Sequence, residues 1–266
     1  MALDQLVDPA ADVDWTLGEL DRLTQTAVTM AGEQPSEVEK LRALRSLIYE
    51  AGAWNDFLPY AYDMSDPDGA HLPNKLLHNY LKNRLGQCVS MPVLFLILGD
   101  RLGLNVALAH APNHFFIRYA APGGAVWNLE TTSGALPARA EWFQQQMPMT
   151  RRALETGLYM RSLGKREAVA EMARTVVEHL GREERWGDAA AVCALILRAA
   201  PRSTALVCAG SAYGHMLKAE FEDKYPVPFL IPQRLHARRL MLMERNNSLF
   251  AAAEQLGWEP SDLGAQ

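Results

Sequence analysis

The sequence predicts an α+β fold, and three observations carry that prediction. Residues up to about 85 place their apolar side chains at helical spacing. The middle, from about Leu104 to Leu129, switches to short strand-like runs around a Pro-Gly-Gly turn. The remainder returns to helical spacing with short breaks. Helices, then an antiparallel hairpin, then helices again is an α+β order rather than an alternating α/β one.

Asp14 to Met30 carries Trp15, Leu17, Leu20, Leu23 and Val28 roughly on one helical face. Ser36-Glu37-Val38-Glu39 is a capping box that opens a second helix through about Ala51, with Leu41, Leu44, Leu47 and Ile48 as its stripe. A proline-rich irregular stretch follows, then a short helix from Asn74 to about Leu85. Gly86 makes a turn, Cys88 falls in the first turn of the next helix, and Pro92 is tolerated there because its missing N–H has no intrahelical partner. Leu102-Gly103 ends that helix. Leu104 to Ala109 is a buried strand and Pro112-Asn113 a turn. His114 to Ala120 and Ala125 to Leu129 form a hairpin around Pro122-Gly123-Gly124. Beyond Trp142, helices are expected over Glu167 to Gly181, Arg185 to Ala200 and Ser203 to Leu217. After Pro226, Pro228 and Pro232 a last one runs from Gln233 to Leu256. The expected division is a helical N-terminal region plus α+β core over 1–140 and a helical tail over 141–266.

Composition removes several function classes. The 266 residues are 49% hydrophobic and 21% charged, with a formal charge of −5. No basic cluster tracks a phosphate backbone, so nucleic acid is not an expected partner. The acidic start lacks a signal-peptide core, and Val93 to Leu98 is too short to span a bilayer. Three cysteines without a Cys-x-x-Cys pair fit a reducing cytoplasm. No cofactor or metal is expected. His110 and His114 have a zinc-like spacing, but Pro112 breaks the helical face that such a pair would need.

Cys88, in Leu85-Gly86-Gln87-Cys88-Val89-Ser90-Met91-Pro92, is the candidate nucleophile, because backbone N–H groups at a helix N-terminus favour a thiolate over a thiol. Cys193 and Cys208 lie in apolar helical stretches and are assigned to the core. In the hairpin, His114 shares a face with Asn128 and Glu130 if the loop has three residues. A loop of 121–123 places Glu130 opposite His114 with Asn128 diagonal, and a loop of 122–124 leaves the choice open. A one-residue slip would turn the two sides apart.

Four ordered motifs resemble the transglutaminase-like superfamily: Gly86 to Pro92, Leu98 to Leu104, Ala111 to Tyr119 and Asn128 to Gly134. The branch most resembled comprises bacterial proteins that join this core to a tetratricopeptide-like helical tail. The resemblance spans Leu41 to Leu136, and the tail only in general character: Ala189 falls on the small-residue position of a repeat closing at Pro201, while the aromatic and glycine positions are not filled. It implies a papain-like core, in which a cysteine-bearing helix packs on an antiparallel sheet. Cys88 would be the nucleophile, His114 its base and Asn128 the orienting third member where many relatives have Asp, with Glu130 in reserve. The implied activity is acyl transfer or hydrolysis on an amide, in a peptide, a protein or a small molecule, through a Cys88 thioester. The Cys88 N–H is an expected oxyanion donor, with Gln87, Asn83 and Trp127 as further contributors and Arg118 as a holder of a substrate carboxylate. The competing reading is an inert core whose helical tail grips a protein partner.

Overall fold

The computed structural model describes residues 1–260, which fall into two compact units. The first comprises Met1–Pro148 and Met160–Lys165; the second comprises Met149–Tyr159 and the chain from Arg166 on.

In the first unit, α1 (Ala2–Val7) precedes α2 (Val13–Ala31), whose N-cap Asp12 accepts from the Trp15 N–H at 2.9 Å. The face that α2 buries is Thr16, Leu20, Leu23 and Ala27, a strict helical row. Trp15, Leu17 and Val28, expected on that stripe, lie to its sides and are partly exposed. α3 (Glu37–Tyr49) opens with the predicted reciprocal capping box between Ser36 and Glu39 and buries Leu44, Leu47 and Ile48. β1 (Ala61–Tyr62) pairs in parallel with β2 (Leu85–Gly86), and α4 (Leu77–Asn83) lies between them in sequence.

α5 (Ser90–Arg101) is the centre of this unit. Met91, Val93, Leu94, Phe95 and Leu98 are buried, against α2, α3, α4 and the first strands of the sheet. Each such side chain contributes about 1.5–3 kcal/mol by leaving water. An apolar surface nearly all round the helix is what a fully enclosed position requires. The sheet is an antiparallel meander, β3 (Val106–Ala111), β4 (His114–Ala120), β5 (Val126–Glu130) and β6 (Leu136–Ala138), in sequence order. β3 begins two residues later than expected because the Leu104 N–H is engaged by the Gly99 carbonyl, closing the end of α5 at Gly103 with φ of 72°. α6 (Ala140–Gln146) follows the sheet.

The second unit is helical: α7 (Arg151–Thr156), α8 (Lys165–Met172, its first residue in the first unit), α9 (Arg174–Arg182), α10 (Trp186–Ala199), α11 (Ala205–Leu217) and α12 (His236–Gln255). The helix expected over 167–181 is two. Ala173 shares its N–H between the Val169 and Ala170 carbonyls, a tightened turn that breaks the axis. From α9 onward each helix packs on the next. Gly210 lets α11 approach α12, since a Cβ there would stand 2.9 Å from the Phe250 ring. Among the described residues no helix is long and apolar enough to cross a membrane.

Candidate active site

Cys88 lies in the turn between β2 and α5, two residues before the first helical residue rather than within the first turn. Local packing dictates this turn. A Cβ on Gly86 would meet the Tyr80 ring at 2.5 Å and Ser90 Oγ at 2.6 Å, so only glycine fits. Ser90 Oγ accepts from the Gln87 N–H (3.1 Å) and donates to the Asn74 carbonyl (2.7 Å). The Met91 N–H returns to the Gln87 carbonyl (3.0 Å), so the turn is held from both ends. Asn74 is itself anchored, donating from Nδ2 to the Asp63 carboxylate at 2.8 Å. The thiol remains partly accessible and donates to the Asn113 carbonyl at 3.7 Å.

Asn113 belongs to the two-residue turn between β3 and β4, where Ala111 pairs with His114. Its φ of 53° is a left-handed conformation that asparagine tolerates better than most residues. The same turn therefore delivers both the carbonyl and His114 to the sulfur. His114 Nε2 lies 2.7 Å from Glu130 Oε2. The Cys88 side chain also acts on the ring, its hydrogen bonding and charge raising the imidazole's pKa, and with Nε2 occupied by Glu130 the nitrogen left for sulfur is Nδ1. Glu130 is buried, and its other oxygen, Oε1, accepts from the Thr132 N–H (2.9 Å) and hydroxyl (2.7 Å). Phe143, fully buried, sets an apolar wall 6.3 Å from the imidazole and 4.3 Å from Phe116, centroid to centroid.

The register of β4 and β5 decides which residue reaches the histidine. Ile117 pairs with Leu129 and Arg118 with Asn128, and Ala121 donates to the Ala125 carbonyl at 2.8 Å. The loop is thus 122–124, closed by Gly123 and Gly124 at positive φ. Continued along the strands, that register puts Phe116 opposite Glu130, and Glu130 is diagonal to His114. Asn128, expected as the third member, stands opposite Arg118 instead; the side chain that bonds His114 is Glu130. A glutamate is long enough for a diagonal contact that crosses the wider spacing between strands.

Electrostatics follow from this substitution of a carboxylate for an amide. Burial pushes the His114 imidazole down, but the hydrogen bonds to Cys88 and Glu130, with their charges, outweigh it and raise its pKa to about 10. For Glu130, burial pushes up, while the His114 bond and charge and the Thr132 bonds hold it below its ordinary value. The two shifts are the two sides of one buried ion pair.

The remaining expected site residues fall elsewhere. Gln87 is buried, and its Nε2 donates to the Asp66 carbonyl at 2.6 Å, so its amide supports the turn rather than facing a substrate. Trp127 pairs with Tyr119, on the face of β5 opposite Asn128 and Glu130. Asn83 lines a different cleft, of about 650 Å³, with Asp63, Asp66, His71 and Asn74. Arg118 donates to the Met160 carbonyl at 2.7 Å and lies four residues along β4 from His114, roughly 13 Å of strand. His110 pairs with Phe115 and so faces away from His114, which rules out a shared metal. Sequence reading missed Asn74 and Phe143, which reach the site through long-range packing, and Asn113, which precedes His114 in its turn; Thr132, a candidate for lining the cleft, instead holds the Glu130 carboxylate. Ser90, three residues after Gln87 at capping-box spacing, was the one local signal.

A sequence model of the transglutaminase-like superfamily matches residues 14–174, more than half of the chain. The chain belongs to the transglutaminase-like superfamily. No curated protein and no solved structure matches it. The superfamily match covers the buried helix, the four-stranded sheet and every residue of the Cys88–His114–Glu130 arrangement.

Proposed function

We propose that this transglutaminase-like chain is a cysteine enzyme that transfers or hydrolyses the acyl group of an amide. The observation that supports this reading is an imidazole held at 2.7 Å by the buried Glu130 carboxylate and raised in pKa by the partly accessible Cys88 side chain as well as by Glu130. Nucleophile, base and orienting group in mutual hydrogen-bond contact is the arrangement that covalent acyl transfer needs.

In the attacking state the proton resides on His114 and the sulfur is a thiolate. Sulfur adds to the amide carbonyl carbon, and the resulting oxyanion is met by the Cys88 backbone N–H. As the C–N bond breaks, His114 gives its proton to the departing nitrogen, leaving a thioester on Cys88. His114 then takes a proton from water, which releases a carboxylic acid, or from an amine, which forms a new amide. Glu130 holds the ring in one tautomer and stabilises the imidazolium.

The test is modification of the intact chain by iodoacetamide, read residue by residue by mass spectrometry. Cys88 should react at least tenfold faster than Cys193 and Cys208, and His114→Ala should slow Cys88 by tenfold or more. Incorporation of a fluorescent primary amine into a glutamine-containing protein, and ammonia release without the amine, should both disappear in Cys88→Ser. An iodoacetamide rate at Cys88 that is indifferent to His114→Ala would overturn the enzyme reading in favour of an inert binding core.

A further inference from the structure

A cleft of about 550 Å³ opens beside Glu130, and its walls include Leu136, Arg139, Glu141, Trp142 and Gln145. Its size is in the ordinary range for a ligand site. Continuity with the candidate active site comes from two contacts. Glu130 belongs both to the cleft wall and to the hydrogen bond with His114. Trp142 packs edge-on against Phe143 at 5.0 Å, and Phe143 is the ring behind His114.

The chemistry of the walls is specific. Glu130 is neutralised internally by His114 and Thr132 and offers no charge to a ligand. Arg139 and Glu141 add one charge of each sign, so the rim selects for neither. Apart from the uncharged polar Ser133 and Gln145, what remains is apolar: Trp142 is 40% exposed and Leu136 is 51% exposed, on a concave surface where water is the alternative occupant. Arg139, Glu141, Trp142 and Gln145 are all exposed, so the cleft is a groove open to solvent rather than an enclosed chamber, and it suits one side chain of a longer chain.

Resting on the Cys88 reading above, we propose that this cleft is a specificity subsite for a large apolar or aromatic side chain of a peptide substrate, with Trp142 as its determinant. Distance fixes the position of that side chain. One imidazole and two hydrogen bonds separate the sulfur from the Glu130 carboxylate, roughly 8 Å. An extended peptide advances about 3.3 Å per residue, so the side chain belongs on the second or third residue, counting the one that bears the reacting carbonyl as the first.

The experiment uses three chloromethyl ketones, whose chloride is displaced by the Cys88 sulfur: acetyl-Gly-Gly-Gly, acetyl-Gly-Phe-Gly and acetyl-Phe-Gly-Gly. Rates on the full chain are divided by the iodoacetamide rate of the same protein. One of the two phenylalanine probes should react with Cys88 at least tenfold faster than the all-glycine probe. Trp142→Ala should reduce that ratio below threefold, and Leu136→Ser, on the exposed edge strand, should reduce it as well, while Trp142→Phe should keep most of it. Equal ratios for all three probes on a chain whose Cys88 reacts normally with iodoacetamide would overturn the subsite alone. A tenfold preference that survives both Trp142→Ala and Leu136→Ser would overturn the assignment to this cleft. Failure of iodoacetamide to modify Cys88 would overturn the nucleophile reading and the subsite with it.

Discussion

Replacing Glu130 by glutamine (Glu130→Gln) keeps the shape of the side chain and, with its oxygen toward Thr132, an acceptor there, while removing both the charge and the acceptor that face His114. His114 is raised to about 10 against the downward push of burial, by its contacts with Cys88 and Glu130. An opposite charge in direct contact shifts a titrating group by about 1–3 pH units. The pH at which His114 loses its proton should therefore fall by about 2 in Glu130→Gln, equivalent to ~3 kcal/mol. Nitrogen-15 NMR of labelled imidazoles, followed from pH 5 to 11, reads that midpoint directly. The stability consequence has a definite sign. The folded chain holds the His114 proton more tightly than the unfolded one, so this stabilisation is complete below the unfolded value near 6.5 and is lost as pH rises through about 10. Glu130, held below its ordinary value, adds stabilisation that is present above about 4.5 and lost as pH falls through its lowered pKa. The difference in Tm between wild type and Glu130→Gln should be widest from about pH 5 to 8 and should narrow as pH rises from about 8 to 10. A wild-type midpoint near 6.5, or one that Glu130→Gln leaves in place, would refute the buried ion pair.

Asn128→Ala should leave the His114 midpoint within about 0.3 pH units, because Asn128 stands opposite Arg118; the same NMR titration checks it. Gly86→Ala should destabilise the chain by about 1–3 kcal/mol in urea unfolding, since the new methyl meets the Tyr80 ring and Ser90 Oγ. It should also slow Cys88 alkylation by disturbing the turn. Tyr80→Phe should raise stability by ~1 kcal/mol, because the Tyr80 hydroxyl is buried with no hydrogen-bond partner in the structure.

Local rules made the helices and the hairpin legible. The Ser36 capping box, Gly103 at the end of α5 and the glycine turn at 122–124 each need information from only a few neighbouring residues, and each is where the sequence places it. The α2 stripe was half legible: Leu20 and Leu23 are buried, whereas Trp15 and Val28 are not, because α3, α4 and α5 choose which face of the helix to cover. The break at Ala173 carries no proline or glycine and had no local signal.

By itself the sequence determined the α+β order, the superfamily, and the facing of His114 with both Asn128 and Glu130, because strand alternation depends only on parity. It could not choose between them. Either three-residue loop keeps Glu130 within reach of His114, opposite or diagonal, whereas Asn128 is diagonal only with the loop at 121–123 and a further pair away with the loop at 122–124. The tertiary structure decided it through the Arg118–Asn128 pairing, which sets Glu130 diagonal to His114 and within 2.7 Å of its ring. A buried carboxylate thereby replaces the expected amide, and an imidazole that burial alone would neutralise is held in its charged form.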